Sequence, residues 1–257
     1  MQPFHNRNLY IRRDPFELAR VLNNKDHANQ RVLCDVDGTL HRGIYDPLLR
    51  GVTNADLALY VSMWMPVSKL PRFARENIEI FAYDRRTLAN GVRMEEREAH
   101  TRHLIFRFLD ALESVPRALI GEAAATLPRL AYPDARKTLA RIEGGLALVS
   151  CGLQPVVEAY GRHLGTRWCF GNPLKSEDVD LGGAADKAKY ANDICRRMNR
   201  AIVIGDTEDD LGMAEVAKAL NPESVVIAMH HRSEALEEKA DIIAYSWGDL
   251  AQLLYVY

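Results

Sequence analysis

Asp35-Val36-Asp37-Gly38-Thr39 places two carboxylates two residues apart, directly after the apolar run Val32-Leu33-Cys34. Alternate side chains of an extended chain point the same way, so Asp35 and Asp37 project together unless the turn at Gly38 separates them. Carboxylates that close repel each other. Two remedies have chemical use. A hard divalent cation such as Mg2+ takes oxygen ligands, or one carboxyl keeps its proton and serves as an acid while the other attacks. An EF-hand calcium loop is excluded by position: it needs glycine sixth and glutamate twelfth, and here Gly38 is fourth while Leu40 and Asp46 hold those places. An ordinary surface turn is the plainer alternative, and the rest of the chain weighs against it.

A second acidic group, Asp206-Thr207-Glu208-Asp209-Asp210, follows the apolar run Ala201-Ile202-Val203-Ile204-Gly205, and Ser150-Cys151-Gly152 ends another. Lys187, in Asp186-Lys187-Ala188, opens a helix ahead of the second acidic group. Open parallel sheets gather their functional residues at the carboxyl ends of strands, so these are the side chains to collect. Each has work to do if a phosphoryl group sits among them. Asp35 and Asp206 suit direct ligation of Mg2+, and Asp210 suits support of the metal or its waters. Lys187 supplies fixed positive charge, and the Ser150 hydroxyl with the N–H groups near Cys151 and Gly152 can bind the transferring oxygens. Asp37 is left to protonate a leaving alcohol and later to take a proton from water. Glu208 and Asp209 read as spare loop charge. His41 and Arg42, just past the acidic turn, are candidate substrate contacts, with a hinge or surface salt bridge as the alternative.

Short apolar runs at 31–36, 146–150, 201–205, 224–229 and 241–244 predict buried parallel strands. Helices starting at Pro133, at Pro155 and at Ala185, the last running to about Met198, alternate with them. The fold class expected is therefore α/β, a Rossmann-like doubly wound parallel sheet. Residues 31–43 and 131–257 form its core. Residues 44–130 lack strand-like runs and carry amphipathic segments at 54–64, 70–82, 94–112 and 117–126, which predicts an inserted α-helical cap domain. Within it, the Met63-Trp64-Met65 cluster and the basic, aromatic stretch from His100 to Phe108 have the spacing of packed helix faces. Residues 1–30 read as an N-terminal leader packing on the core, with Asp14-Pro15 capping a helix to about Asn23.

Among 257 residues, 47% are hydrophobic and 26% charged, with a formal net charge of -2, which gives no electrostatic case for nucleic acid. No apolar run approaches the ~20 residues of a membrane span, and Met1 to Arg7 lacks the apolar stretch of a signal peptide. A cytoplasmic protein without a membrane segment is expected. Cysteines 34, 151, 169 and 195 form no Cys-x-x-Cys pair, so buried free thiols are expected and zinc is not.

The set as a whole resembles the haloacid dehalogenase superfamily, whose four motifs occur in order between residues 32 and 210. Asp35-Val36-Asp37-Gly38-Thr39 is similar to the first, Val149-Ser150-Cys151-Gly152 to the second, Lys187 to the third and Gly205-Asp206 through Asp210 to the fourth. The helical insertion between the first two motifs is similar to the cap of the phosphoserine-phosphatase-like branch. The resemblance implies a Mg2+-dependent phosphatase acting on a small phosphorylated metabolite. Asp35 would be the nucleophile that carries an aspartyl-phosphate, Asp37 the acid/base, and the Asp37 backbone carbonyl a further metal ligand. A phosphotransferase using the same phosphoenzyme and a non-catalytic binding module are the alternatives. Two departures, Cys151-Gly152 for the usual paired glycines and no early acidic residue in Leu40-His41-Arg42-Gly43, argue against phosphoserine as substrate.

Overall fold

The computed structural model describes residues 8–23, 29–41, 62, 67–75, 78, 79, 82, 109, 112, 115–142, 144–174, 184–230 and 233–255. Its centre is a seven-stranded sheet. The strands are β1 (Leu9–Ile11), β2 (Gln30–Cys34), β3 (Gly145–Leu153), β4 (Trp168–Asn172), β5 (Arg200–Gly205), β6 (Val225–Met229) and β7 (Ile242–Ala244). They lie in the order β1-β7-β6-β5-β2-β3-β4, all parallel except β1, which runs antiparallel to β7. The α-helices whose bounds fall within the described residues are α1 (Pro15–Leu22), α2 (Arg117–Thr126), α3 (Ala135–Leu139), α4 (Gln154–Leu164), α5 (Ala184–Cys195), α6 (Leu211–Leu220), α7 (Glu234–Lys239) and α8 (Trp247–Tyr255).

Side-chain alternation along the strands builds two cores, one on each face. Val32, Leu148, Ile202, Ile204 and Ile227 pack with Leu18 and Leu22 of α1, Ile120 of α2, Tyr160 of α4 and Trp247 and Leu250 of α8. Leu33, Val149, Val203 and Val226 pack with Ala191 of α5, Met213 and Ala217 of α6 and Leu236 of α7. The result is the doubly wound α/β architecture that the alternating runs imply. From β2 the chain winds through β3 to β4 at one edge, then returns to place β5 on the other side of β2. The winding reverses at the carboxyl ends of β2, β3 and β5, the place where sheets of this kind put their binding crevice.

The strands differ from expectation in four places, and the first is β3, which runs three residues past 150 to Leu153. β2 stops at Cys34, because Val36 already belongs to the turn, its carbonyl accepting from Leu40 N–H at 3.0 Å. β1 and β4 are strands that no apolar run in the sequence predicts. Both are edge strands, short and incompletely buried, where the continuous apolar signature of an interior strand is weakest. β1 also means that the N-terminal residues expected as a leader contribute a strand to the sheet. Helix α1 behind it starts where Asp14 predicts, the Asp14 carboxylate accepting from Phe16 N–H at 2.8 Å. Of the expected insertion, α2 has the predicted bounds and lies against α4, and residues 70–75 are helical. Most of segments 54–64 and 94–112, with Met63-Trp64-Met65 and His100 to Phe108, lie outside the described residues.

Candidate active site

Three polar segments leave the carboxyl ends of neighbouring strands and converge. Asp35 follows β2 and stays tied to the sheet, its N–H donating to Ile204 O at 2.9 Å. Gly38 then takes φ +84°, the left-handed backbone that lets the chain turn between Asp37 and Thr39. On β3 the register against β4 runs regularly through Val149↔Phe170 and resumes at Leu153↔Asn172. Ser150, Cys151 and Gly152 thus face Gly171 alone, a bulge that pushes this segment out of the ladder and towards Asp37. Asn172 holds the bulge in place, its Nδ2 donating to Cys151 O at 2.6 Å. Beyond β5, Gly205 gives way to Asp206, and a Cβ on Gly205 would overlap the Asp210 carboxyl, so only glycine lets that side chain fold back over the strand end.

The side chains form two linked groups. In the first, Lys187 Nζ donates to Asp35 Oδ1 and to Asp210 Oδ1, both at 2.7 Å, and all three residues are buried. The other Asp210 oxygen accepts from the N–H groups of Asp206 at 2.9 Å and Thr207 at 3.2 Å. Asp206 Oδ1 accepts from the Thr39 hydroxyl at 2.8 Å. Carboxylate oxygens of Asp35, Asp206 and Asp210 all lie within 4.8 Å of one another. In the second group, the Ser150 hydroxyl donates to Asp37 Oδ2 at 2.6 Å and accepts from Gly152 N–H at 2.9 Å. Asp37 Oδ1 is closed off from solvent and has no hydrogen-bond partner among the described residues.

Crowding of this kind moves proton affinities. Burial raises the Asp35 carboxyl well above the usual range, Lys187 pulls it back, and the neighbouring carboxylates Asp210, Asp206 and Asp37 add to the rise. Burial also raises Asp37, against the Ser150 hydrogen bond and the nearby His41 and Lys187. For Lys187 burial opposes the charge, yet Asp210 and Asp35 outweigh it and hold the ammonium well above its ordinary value. Burial pushes the Cys34 and Cys151 thiols well up, so neither is a ready thiolate nucleophile.

The donor set suits a hard cation. Three buried carboxylates face one ammonium, and their oxygens are the ligands that Mg2+ prefers over nitrogen or sulfur.

Of the residues singled out from sequence, the fold brings Asp35, Lys187, Asp206 and Asp210 into one hydrogen-bonded group and Asp37, Ser150 and Gly152 into a second, joined to the first through the Asp35-Val36-Asp37 backbone, with Cys151 beside it. His41 lies elsewhere in the same loop. It is 1% exposed, and its Nδ1 is 2.6 Å from the Tyr160 hydroxyl, which itself donates to Leu127 O at 3.1 Å. Arg42 lies outside the described residues.

Other contributors carry no motif. The Trp247 indole N–H donates to Thr39 O at 2.8 Å, and the His230 ring approaches the same oxygen at 3.4 Å. His230 holds φ +63°, unusual for a side chain with a Cβ, and stacks on Tyr132 with ring centres 4.6 Å apart. Thr39 is thereby gripped from both ends, its carbonyl by Trp247 and its hydroxyl by Asp206. The signal available in the sequence is that Met229 and His230 end an apolar run, the position where such sheets place functional groups. Trp247 has no local signal.

Two consequences can be measured. A Cβ on Gly152 would stand 2.5 Å from Asp37 Oδ2 and 3.2 Å from the Ser150 hydroxyl. Gly152→Ala is therefore expected to displace Asp37 and to lower kcat, on the order of 100-fold, with little change in melting temperature. Trp247→Phe removes a buried donor from the Thr39 carbonyl and is expected to cost about 1–3 kcal/mol in denaturant unfolding. Unchanged unfolding would mean that His230 alone suffices.

The model of the haloacid dehalogenase-like hydrolases matches residues 32–215. No curated protein matches the chain by sequence. Among solved structures, cytosolic 5'-nucleotidase IIIB bound to cytidine superposes with a TM-score of 0.60 at 15% identity, covering 98% of this chain and 97% of that one. The product of gene AF1437 from Archaeoglobus fulgidus gives 0.59 at 20% identity, covering 89% and 82%. A phospho-aspartyl intermediate analogue of phosphoserine phosphatase gives 0.54 at 19% identity, covering 89% and 98%. No helix among the described residues is long and apolar enough to cross a membrane.

Proposed function

The chain belongs to the haloacid dehalogenase-like hydrolases, and from that premise we propose that it is a Mg2+-dependent phosphatase of small phosphorylated metabolites. The observation that carries this reading is the division of labour between the two aspartates of the first turn. Asp35 is held by Lys187 among the candidate metal carboxylates, and Asp37 is held by Ser150 outside them.

The mechanism proposed has two steps. A carboxylate oxygen of Asp35 attacks phosphorus, the bond from phosphorus to the leaving alcohol breaks, and Asp37 gives that alcohol its proton. Water then attacks the aspartyl-phosphate, Asp37 takes the proton from water, and the bond between phosphorus and Asp35 breaks to free phosphate. Asp37 Oδ1, which has no partner among the described residues, is the oxygen suited to carry the proton, since Oδ2 is engaged by Ser150. The raised proton affinity of Asp37 keeps a protonated fraction available at higher pH than an ordinary aspartate allows. Lys187 places positive charge beside Asp35, where the anionic phosphoryl group must approach. The Ser150 hydroxyl would turn from Asp37 to the transferring oxygens when substrate is bound, with the N–H groups of Cys151 and Gly152 beside it. Asp35, Asp206 and the Asp37 carbonyl would hold Mg2+, supported by Asp210. When bound, the ion neutralises charge on the phosphoryl oxygens and on the carboxylates around it.

The test is phosphate release from a panel of phosphomonoesters with and without Mg2+, headed by nucleoside 5'-monophosphates, phosphoserine and p-nitrophenyl phosphate. Metal-dependent turnover of any member supports the reading. Silence across the panel, together with failure of the metal-loaded protein to trap beryllium fluoride, would favour a binding module. Transfer to added alcohols in place of release to water would make it a phosphotransferase.

The same groups predict a pH dependence. Asp37 holds its proton more tightly folded than unfolded, so it costs the metal-free protein stability as pH rises from the ordinary aspartate value of 3.8 through the raised one. Below that window both states are protonated and the cost vanishes. Asp37→Asn, which stays neutral throughout, is expected to melt higher than the parent at pH 7 in the absence of metal and to match it near pH 3.5. An equal increment at both pH values would refute this account.

A further inference from the structure

At the edge of the sheet opposite the acidic cluster, the amino ends of β2, β3 and β4 floor a cavity of about 830 Å³. Arg31 on β2 lies four residues before Asp35, roughly 13 Å away along a strand. Around this cavity stand Arg31, Arg136, Arg162 and Arg167, and no acidic side chain occurs among the described lining residues. None of the four guanidinium groups has an ion pair or hydrogen bond within the described structure. The Arg31 Nε is buried and has no acceptor among the described residues.

Two further features shape the cavity. The Arg31 guanidinium occupies the space that a Cβ on Gly145 would take, so the missing side chain there is what admits it. It lies 5.0 Å over the ring of Trp168, which is itself 44% exposed. Exposed arginines are common, but three of them with the half-buried Arg31 around one concavity, the last with an unsatisfied buried donor, in a chain of net charge -2, concentrate positive charge where the molecule as a whole has none. Guanidinium forks match phosphate oxygens in pairs, and four forks exceed what one phosphate can accept. The volume falls within the roughly 300–1,000 Å³ of small-ligand sites. A nucleic-acid backbone would call instead for an extended basic stripe.

We propose that this cavity binds a small polyphosphate anion, inorganic or carried by a nucleoside, at a site separate from the acidic cluster. Trp168 offers a face for a base in the nucleoside case. The proposal is independent of the phosphatase reading.

The test is calorimetric titration of the metal-free protein with pyrophosphate, ATP, adenosine and a single-stranded oligonucleotide. The metal-free protein is used so that no bridging cation draws the anion to the acidic cluster. Pyrophosphate and ATP are expected to bind and adenosine is not. Arg162→Gln/Arg167→Gln, both exposed positions, is expected to weaken binding by about tenfold or more while leaving phosphate release unchanged. Tighter binding of ATP than of pyrophosphate, with the difference lost in Trp168→Ala, identifies the nucleoside form; equal binding identifies the inorganic form. Absence of small-anion binding, binding of the oligonucleotide alone, or equal affinity in the double variant would overturn the proposal.

Discussion

Asp35→Asn is expected to abolish Mg2+-dependent phosphate release, by ~10^4-fold or more, the scale on which removing a nucleophile acts in a covalent mechanism. The fold is expected to survive. Asparagine is the same size as aspartate, and Lys187, which bonds both Asp35 and Asp210, keeps the second of these partners. The two readouts therefore separate chemistry from structure: a cooperative melt within a few degrees of the parent, no turnover, and no uptake of beryllium fluoride. Substantial residual turnover in a clean preparation would remove Asp35 from the role of nucleophile and reopen the question of which carboxylate attacks. Because Asp35 is also a candidate metal ligand, Mg2+ affinity is measured alongside, and saturating metal is used throughout.

Lys187→Met has a different signature. Its side chain is 5% exposed and answers the carboxylates of two side chains that are 2% and 0% exposed, at 2.7 Å each. Removing one partner of a buried ion pair leaves charge without compensation, which costs about 3–5 kcal/mol. Lys187→Met is thus expected to lose both turnover and a large part of its stability. Adding Asp210→Asn removes one of the stranded charges and is expected to recover much of the stability without recovering turnover. If Lys187→Met melts like the parent, the carboxylates have taken up protons at little cost, and the positive charge matters only when substrate arrives.

Much of the site is legible without any coordinates because its chemistry is local in sequence. Asp35, Asp37 and Gly38 share one turn, and Asp206 and Asp210 share another, so type and spacing alone define them. Lys187 is isolated by comparison: its place at a helix start ahead of the second acidic group suggests it, and the resemblance to a family strengthens the choice among the helical lysines. The interior strands β2, β5, β6 and β7 are legible from continuous apolar runs. Edge strand β4 is not, since Trp168-Cys-Phe-Gly-Asn172 mixes polar and small residues and is incompletely buried. The bulge at Ser150 is hidden too. It arises from the mismatch of β3 with that unforeseen neighbour.

Least legible are contacts that depend on distant chain. Nothing near Trp247 announces that its indole serves Thr39, 208 residues away. His41 beside the acidic turn invites a reading as a substrate contact, and the sequence does not show that its ring meets Tyr160 on α4 while staying close enough to act on Asp37.

The grip of Trp247 on Thr39 also bears on when the enzyme comes to exist as it is made. The acidic turn leaves the ribosome early, but its anchor is synthesised well after it, roughly 10–40 seconds later at ordinary elongation rates. Strand β1 likewise waits for β7, so the far edge of the sheet closes at about the same moment. The nascent chain thus holds Asp35 and Asp37 long before it holds Lys187, Asp206 and Asp210, and the Trp247 anchor follows those within a few tens of residues.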